Sequence, residues 1–403
     1  MKLFYGWIIV AVGIVVTCIG MGSMMSLGVY LQPISQDMGW SRTGISFAAV
    51  LSFLAMGCGS FLWGSLSDRF GTRAVVLAGG VLLGGGLIAA SRAAELWQFQ
   101  VLFGTCVGLA AGSFYAPLIA TVTRWFTAHR SLAVSLVSAG MGLGSFLIAP
   151  LSRWLITSYD WRSAMLTIGC LAWAMVLPAA LFVRRPPQQA TAAAAGLGSA
   201  GHEFSMAQVL RTPQFAAIAL THFACCAAHS GPIFHMVSYA IDCGIPAMTA
   251  ATVFGTTGLA SLSGRIVCGL IADRVGAKRT LVVGLAVQAL AVSLYLVTRG
   301  TVGFYALAAL FGLAFGGVMP LYAILVREYF GARVMGSAFG AVSMIATLGM
   351  ALGPLAGGWL FDSFGSYVWL YLGSFGIALG AVAIAVTFRP PQRRPLVLAA
   401  RAA

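Results

Sequence analysis

Charged residues are scarce in this chain. Asp, Glu, Lys and Arg make up 8% of its 403 residues, whereas hydrophobic residues make up 60%. This composition excludes a soluble globular domain. The alternating segments of about ten residues that mark a transmembrane barrel are also missing, because the apolar runs are about twenty residues long. The sequence therefore predicts an all-α membrane protein.

Other absences narrow the class. The first apolar run has no small-residue cleavage site and is too long for a signal peptide, so we interpret it as the first span. The eight cysteines have no metal-ligand or redox spacing. The net charge of +14 comes from single or paired basic residues at span ends, which does not favour a nucleic-acid interface. The loops and tails are too short or featureless for an enzyme or a sensor. We expect no metal and no cofactor.

Twelve apolar runs follow one another, and the longest polar interval divides them six and six. We therefore predict an N-terminal six-helix bundle at 1–183, a cytoplasmic linker at 184–213 and a C-terminal six-helix bundle at 214–403. The runs lie at about 7–31, 43–66, 74–92, 97–122, 131–156, 161–183, 215–240, 248–272, 280–298, 303–326, 336–360 and 367–388.

The basic residues predict the orientation. When alternate loops are assigned to opposite sides, 17 Lys and Arg residues fall on the side of the N-terminus and 5 on the other side, with Arg265 inside the membrane. This bias predicts a multi-pass protein of the cell (inner) membrane with both termini in the cytoplasm.

Arg265 lies in the apolar run that forms predicted span 8. An arginine near the bilayer centre costs at least about 2.5 to 3.5 kcal/mol on insertion scales and usually marks a substrate path. Its planar fork of donors fits a carboxylate, and Ser261, one turn earlier, shares its face. The alternative is a structural pair with an acid on another helix. All nine acids, however, lie at span ends or in loops: Asp37, Asp68, Glu95, Asp160, Glu203, Asp242, Asp273, Glu328 and Asp362.

The two predicted halves repeat a loop motif. GSLSDRFGTR, from Gly64 to Arg73, recurs 205 residues later as GLIADRVGAK, from Gly269 to Lys278. Two six-helix repeats in the same orientation are typical of a transporter with a pseudo-two-fold axis along the membrane normal.

This motif resembles the loop signature of the major facilitator superfamily, with Ile271 replacing a leucine in the second copy. Asp68 and Asp273 would pair or cap across the cytoplasmic face while the cavity is open outward, so we predict that the motif is a conformational gate. The alternative is a set of solvated loop charges. The predicted gate residues are Gly64, Asp68, Arg69, Gly71, Arg73, Gly269, Asp273, Arg274, Gly276 and Lys278.

The segment from His235 to Arg279 is similar to monocarboxylate transporters and bacterial oxalate/formate-type carriers. The resemblance implies that Arg265 binds the substrate carboxylate and that Tyr115, beside Pro117, donates a hydroxyl. Tyr322, beside Pro320 in the second repeat, is a further substrate candidate, although aromatic residues in membrane helices often serve packing. In animal carriers an aspartate precedes the arginine by four residues, and Ser261 occupies that position here.

Histidine offers the remaining titratable groups in the membrane. His235 follows the break at Gly231–Pro232 and is our preferred proton-coupling or substrate residue; the alternative is a packed side chain bonded to a backbone carbonyl. His222 and His229 lie on the same span and are less favoured.

Predicted span 11 contains no second cation, whereas the resemblance implies one there for oxalate-type carriers. We therefore predict secondary active transport of a small monocarboxylate such as lactate or pyruvate, by proton symport and alternating access. The partners would be a small organic anion, a proton and the lipid bilayer. Carboxylate exchange remains the alternative, and drug/proton antiport or a non-transport sensor is less favoured. One chain contains both halves, so a monomer suffices.

Overall fold

The computed structural model describes residues 4–126, 130–184, 205–331 and 334–387, and the regular elements among them are all helices, with no strand. Twelve helical spans in the described residues are long and apolar enough to cross a membrane, which confirms the all-α prediction. Numbered in chain order, they are Tyr5–Met25 with Leu27–Met38, Arg42–Phe70, Thr72–Ala90, Leu96–Trp125, Arg130–Ser158, Trp161–Leu181, Pro213–Asp242, Ala247–Val275, Ala277–Leu294, Thr301–Phe330, Met335–Phe364 and Val368–Thr387.

Span 4 is interrupted in the middle. A π-helical stretch, Gln100–Val107, is followed by a turn at Ser113 and Phe114, after which a new helix begins. The Phe114 ring is fully buried, and a side chain at Gly20 or Gly79 would collide with it. The break therefore comes from a ring that fits the space left by two glycines on neighbouring spans.

The segment between the halves has an ordered end. Met206–Leu210 forms a short helix that begins with a capping box, in which Ser205 and Gln208 satisfy each other's backbone N–H groups. Val209 of this helix is buried against the C-terminal half. The predicted flexible linker at 184–213 is thus helical near its end, and span 7 begins at Pro213; residues 185–204 lie outside the described part.

The bundle has two faces, which we name by the segments that lie there. The linker face carries the start of span 1 at Tyr5, the end of span 6 at Leu181 and the start of span 7 at Pro213. The far face carries the turns between spans 1 and 2, 7 and 8, and 11 and 12.

The N-terminal and C-terminal halves touch from the far face to about the middle of the bundle. Added Cβ atoms at Gly28 and Gly142 would lie against the carbonyl oxygens of Phe234 and Gly258, so these backbones are in direct contact. Towards the linker face, a methyl group added at Gly64, Gly269 or Gly340 would meet no described atom within 4 Å. The halves therefore diverge, and a gap opens towards the linker face.

Candidate anion site between the two halves

Arg265 lies on span 8 just beyond the point where the halves separate. Gly258, seven residues earlier and thus on nearly the same helical face, is the residue that touches Gly142 of span 5. Two further turns along that face bring Arg265 into the gap.

The Arg265 guanidinium has unused hydrogen-bonding capacity. Its Nε atom is buried, and no described residue accepts a hydrogen bond from it. No described carboxylate forms an ion pair with it either. A buried donor without an acceptor is costly, more so when it carries charge. The Arg265 side chain therefore keeps a buried donor for which the described residues supply no acceptor.

Tyr115 approaches from the N-terminal half. It is the first residue after the break in span 4 and stays 37% exposed. Its hydroxyl lies 3.0 Å from Oγ of Ser138, whose own hydroxyl donates to the Val134 carbonyl at 2.9 Å. Tyr115 also lies close enough to interact electrostatically with Arg265. The structure therefore places these two predicted residues within electrostatic range of each other, on opposite halves of the protein.

Ser261 is turned towards span 10. Its hydroxyl donates to the Gly258 carbonyl at 2.8 Å, and only 5% of the residue is exposed. A Cβ atom on Gly316 of span 10 would collide with it. Sharing a helical face with Arg265 within about 40° was not enough to place Ser261 in the gap.

Tyr322 lies inside the C-terminal half. It is fully buried, its ring stacks on His222 with centroids 3.9 Å apart, and its hydroxyl donates to the Thr221 carbonyl at 3.5 Å. His229, in the same interior, lies with Nδ1 2.7 Å from the Cys225 carbonyl. The two related tyrosines of the repeats are thus not equivalent, because span 4 breaks before its tyrosine whereas span 10 runs on as one helix.

His235 is fully buried and lies towards the far face. Its Nε2 is 2.9 Å from the Pro354 carbonyl and its Nδ1 is 3.1 Å from the Tyr367 hydroxyl. From their positions along the helices, His235 and Arg265 are separated by roughly 16 Å in depth. In this conformation His235 does not reach an anion bound at Arg265.

The two loop motifs have the same backbone geometry. Gly71 and Gly276 have φ angles of +90° and +92°, and each ends one span and begins the next. Glycine suits this positive-φ conformation because it lacks a Cβ atom.

The motif charges face an open linker face. Arg73, Asp273 and Arg274 are exposed, and Asp273 has no ion pair with a described residue. Arg69 lies over the ring of Phe70 at 5.2 Å. Lys278 donates to the Val386 carbonyl at 2.9 Å. The side chain of Asp68 lies outside the described part, so its predicted pairing stays a prediction.

A second arginine with a buried donor lies near the far face, where the sequence analysis counted it among the charges of the outer side. Arg153 lies within span 5, five residues before its end, and its Nε atom is buried without an acceptor among the described residues. Counted along the helices from the Gly142–Gly258 contact, it lies roughly 27 Å from Arg265 in depth. A small dicarboxylate cannot bridge that distance, so Arg265 remains the one arginine beside Tyr115 in the described structure.

The described residues contain no group of three His, Cys, Asp or Glu side chains placed to hold a metal ion, and the eight cysteines are free thiols.

The sequence profile of the Major Facilitator Superfamily matches residues 12–354 and again residues 269–402. The chain belongs to the Major Facilitator Superfamily. This confirms the resemblance carried by the loop motifs and makes the protein a membrane transporter rather than an enzyme.

Relatives of this superfamily member include monocarboxylate transporters. Monocarboxylate transporter 13 of Bos taurus is 27% identical over 399 residues, which cover 97% of this chain and 92% of the relative. Monocarboxylate transporter 11 of Homo sapiens is 28% identical over 391 residues, covering 93% and 81%. An uncharacterized MFS-type transporter, YhjX, of Escherichia coli is 24% identical over 350 residues, covering 85% of each.

Two solved structures share the major facilitator fold with this chain. One is a bacterial homolog of the human lysosomal transporter Spinster, in an inward-facing and unoccupied conformation, with a TM-score of 0.72 at 13% identity, covering 96% of this chain and 95% of that one. The other is a mutant of the nucleoside transporter NupG, with a TM-score of 0.78 at 12% identity, covering 96% and 100%. At these identities the likeness concerns the fold alone.

Proposed function

We propose that this protein transports a small monocarboxylate, of the lactate or pyruvate kind, across the cell membrane together with a proton. The observation that carries the proposal is the buried Nε of Arg265, which has no acceptor among the described residues, at the end of a gap between two six-span halves. The names of the relatives support the substrate class.

In this proposal Arg265 binds the carboxylate and Tyr115 orients it from the opposite half. Ser261 sets the contact between spans 8 and 10 that holds Arg265 in place. A direct role for Tyr322 would require span 10 to turn in another conformation, because the residue is fully buried here. The substrate thus bridges the two halves, which alternating access requires.

The orientation is part of the proposal. The excess of basic residues on the side of the N-terminus supports a cytoplasmic location for the linker face and both termini. The described conformation is then open inward, and the exposed motif charges at the linker face agree with a gate that has been released. A monomer contains the complete site.

Carboxylate exchange is the second candidate. It is favoured by one observation: no described acidic residue pairs with Arg265, and His235 lies well away from it. An exchanger needs no proton site, because the outgoing anion replaces the incoming one.

Uptake of labelled lactate into proteoliposomes tests the proposal. We expect an inward proton gradient to drive uptake in the native protein, Arg265→Ala to abolish it, and Tyr115→Phe to raise KM by about ten- to a hundredfold, as the loss of one hydrogen bond to a charged group predicts. Arg92→Ala, which removes an exposed arginine at the far face, is the matched control.

Three results would decide against parts of this proposal. Uptake that ignores the proton gradient but rises with preloaded carboxylate would favour exchange. Transport by Arg265→Ala at the native rate would remove the anion site. Uptake of oxalate in preference to lactate and pyruvate would reject a monoanion.

A further inference from the structure

Arg42, the first residue of span 2, is held at the far face by the other half of the protein. Its Nη1 lies 3.3 Å from Oδ2 of Asp242, at the end of span 7, and its guanidinium carbon lies 3.5 Å from the ring centroid of Phe361. Only 11% of the Arg42 side chain is exposed. This ion pair and cation–π contact join the halves where they are in contact.

Asp362, at the end of span 11, caps the start of span 2. Its carboxylate accepts hydrogen bonds from the backbone N–H groups of Arg42 at 3.1 Å and Thr43 at 2.7 Å, and from the Thr43 hydroxyl. The first amides of a helix have no acceptor within the helix, and a negative charge there is stabilised by the helix dipole. A residue of one half therefore completes a helix of the other, and only while the halves meet.

Tyr367 connects this contact to His235. Arg42 donates to the tyrosine oxygen at 2.8 Å, and the tyrosine lies 3.1 Å from Nδ1 of His235. Burial raises the pKa of the Tyr367 hydroxyl to about 12, so it keeps its proton. Because the Pro354 carbonyl can only accept, Nε2 carries the imidazole hydrogen, and Nδ1 accepts from Tyr367. With neutral His235, each donor along this path has an acceptor: Arg42 Nη1 donates to Tyr367, the Tyr367 hydroxyl donates to His235, and His235 Nε2 donates to the Pro354 carbonyl.

A protonated His235 does not fit this arrangement. Nδ1 would then donate, so the Tyr367 oxygen would receive donors from both His235 and Arg42, and its own hydrogen would lose its acceptor. Two positive charges would also lie on either side of one tyrosine. The charged groups that face His235 are Arg42 from span 2 and Asp362 from span 11, with Asp242 two turns further along its own helix. Both carboxylates are already bonded to the start of span 2.

We propose that Arg42, Asp242, Asp362, Tyr367 and His235 form the far-face gate of the transport cycle, and that His235 is its proton sensor. Neutral His235 holds the far face closed; protonation releases Arg42 from Tyr367 and favours opening. The link to a transport cycle rests on the proposed function. The gate itself is defined by contacts within the protein.

Distance measurements across the far face test this gate without any substrate. Spin labels at Tyr159 in the N-terminal half and Val302 in the C-terminal half, both strongly exposed near the far face, would be introduced into a cysteine-free variant in nanodiscs. Pulsed electron paramagnetic resonance would then give the distance distribution at pH 8 and pH 5. We expect a short distance at pH 8 and a severalfold larger long-distance population at pH 5.

Variants assign the effect to residues. His235→Gln, which stays neutral, should keep the short distance at both pH values, whereas Arg42→Ala should show the long distance at both. Arg92→Ala, an exposed arginine at the same face, should behave as native protein. Exchange of the charges in the double variant Arg42→Asp/Asp242→Arg should restore the short distance that Arg42→Asp alone loses, which separates gating from misfolding.

A pH response that survives in His235→Gln would overturn the sensor, and unchanged distances in Arg42→Ala would overturn the gate. The spin-label distances are measured without lactate, so they do not depend on the proposed substrate. If the labels respond as expected but proteoliposomes take up no monocarboxylate, the proposed function fails and the gate stands.

Discussion

Arg265 and Tyr115 come from different halves, so an anion held by both would bridge them. The guanidinium supplies two parallel donors to a carboxylate, whereas an ammonium supplies a single point charge. The geometry of the fork, and not the charge alone, should therefore decide affinity.

We expect Arg265→Lys to weaken monocarboxylate binding by about ten- to a hundredfold, because one charge-assisted hydrogen bond contributes about 1.5 to 3 kcal/mol. The transport KM and the displacement of labelled lactate would measure this. Arg299→Lys is the control, since Nη1 of Arg299 bonds only to the carbonyls of Leu296 and Thr298 in its own turn. Equal affinity in Arg265→Lys and native protein would show that charge alone suffices.

The sequence alone could single out Arg265 as a candidate site residue, because an unpaired charge inside an apolar run is costly whichever way the side chain points. It could not place Tyr322 or Ser261. Their orientation depends on how spans 8 and 10 are rotated against each other. Gly316 lets the two helices approach closely at Ser261, but the sequence alone does not show that these two residues face each other. Arg42 was predicted merely as a charge on the outer side, because its partners Asp242 and Asp362 lie 200 and 320 residues away.

The turns that join spans 2 to 3 and 8 to 9 should tolerate substitution poorly. Each consists of one glycine at positive φ, with no loop on either side. The following helix therefore starts directly from the positive-φ glycine, and the angle between the two spans depends on that residue.

We expect Gly276→Ala to lower stability by about 1 to 3 kcal/mol, the usual cost of a side chain in this conformation. Gly380→Ala is the matched control: this glycine lies within helical span 12 and its added methyl would meet no described atom within 4 Å. That substitution should stabilise the helix by about 0.5 to 1 kcal/mol. Thermal unfolding of the purified variants would measure the difference. Equal melting temperatures for Gly276→Ala and Gly380→Ala would contradict the expected cost of a side chain at positive φ.

The twelve spans were predictable because apolar runs of about twenty residues permit few alternatives. The break in span 4 was not, since its cause is the packing of Phe114 into two glycine surfaces on other spans. The helix at Met206–Leu210 was missed for a different reason: the Ala- and Gly-rich composition of the interval hid a local capping signal at Ser205.

The described part of the molecule has one conformation, in which the two halves meet at the far face and diverge towards the linker face. The repeated motif allowed the sequence to predict two similar halves, because each copy lies at the same place in its repeat. Which end is closed could not be read from the motif, since that depends on contacts between halves that do not appear in either repeat alone.

A disulfide across the closed face should stop the cycle. Side chains of Thr43 and Asp362 are in hydrogen-bond contact, so we expect the double variant Thr43→Cys/Asp362→Cys, in a cysteine-free background, to cross-link on oxidation. Lactate uptake by the oxidised protein should be at least tenfold lower than uptake by the same variant after reduction. The single variants Thr43→Cys and Asp362→Cys are the controls, because one cysteine cannot form a cross-link within the chain. Full uptake by the cross-linked protein would show that the far face need not open.

The cap that Asp362 places on span 2 also makes hydration part of the mechanism. When the halves separate, two amides and a guanidinium lose their carboxylates, and water is the solvent available to replace them. Opening of this face is therefore a wetting step, and closing it expels ordered water. The balance between the two states should then respond to osmotic pressure, in the direction set by the difference between the water released at the far face and the water taken up at the linker face.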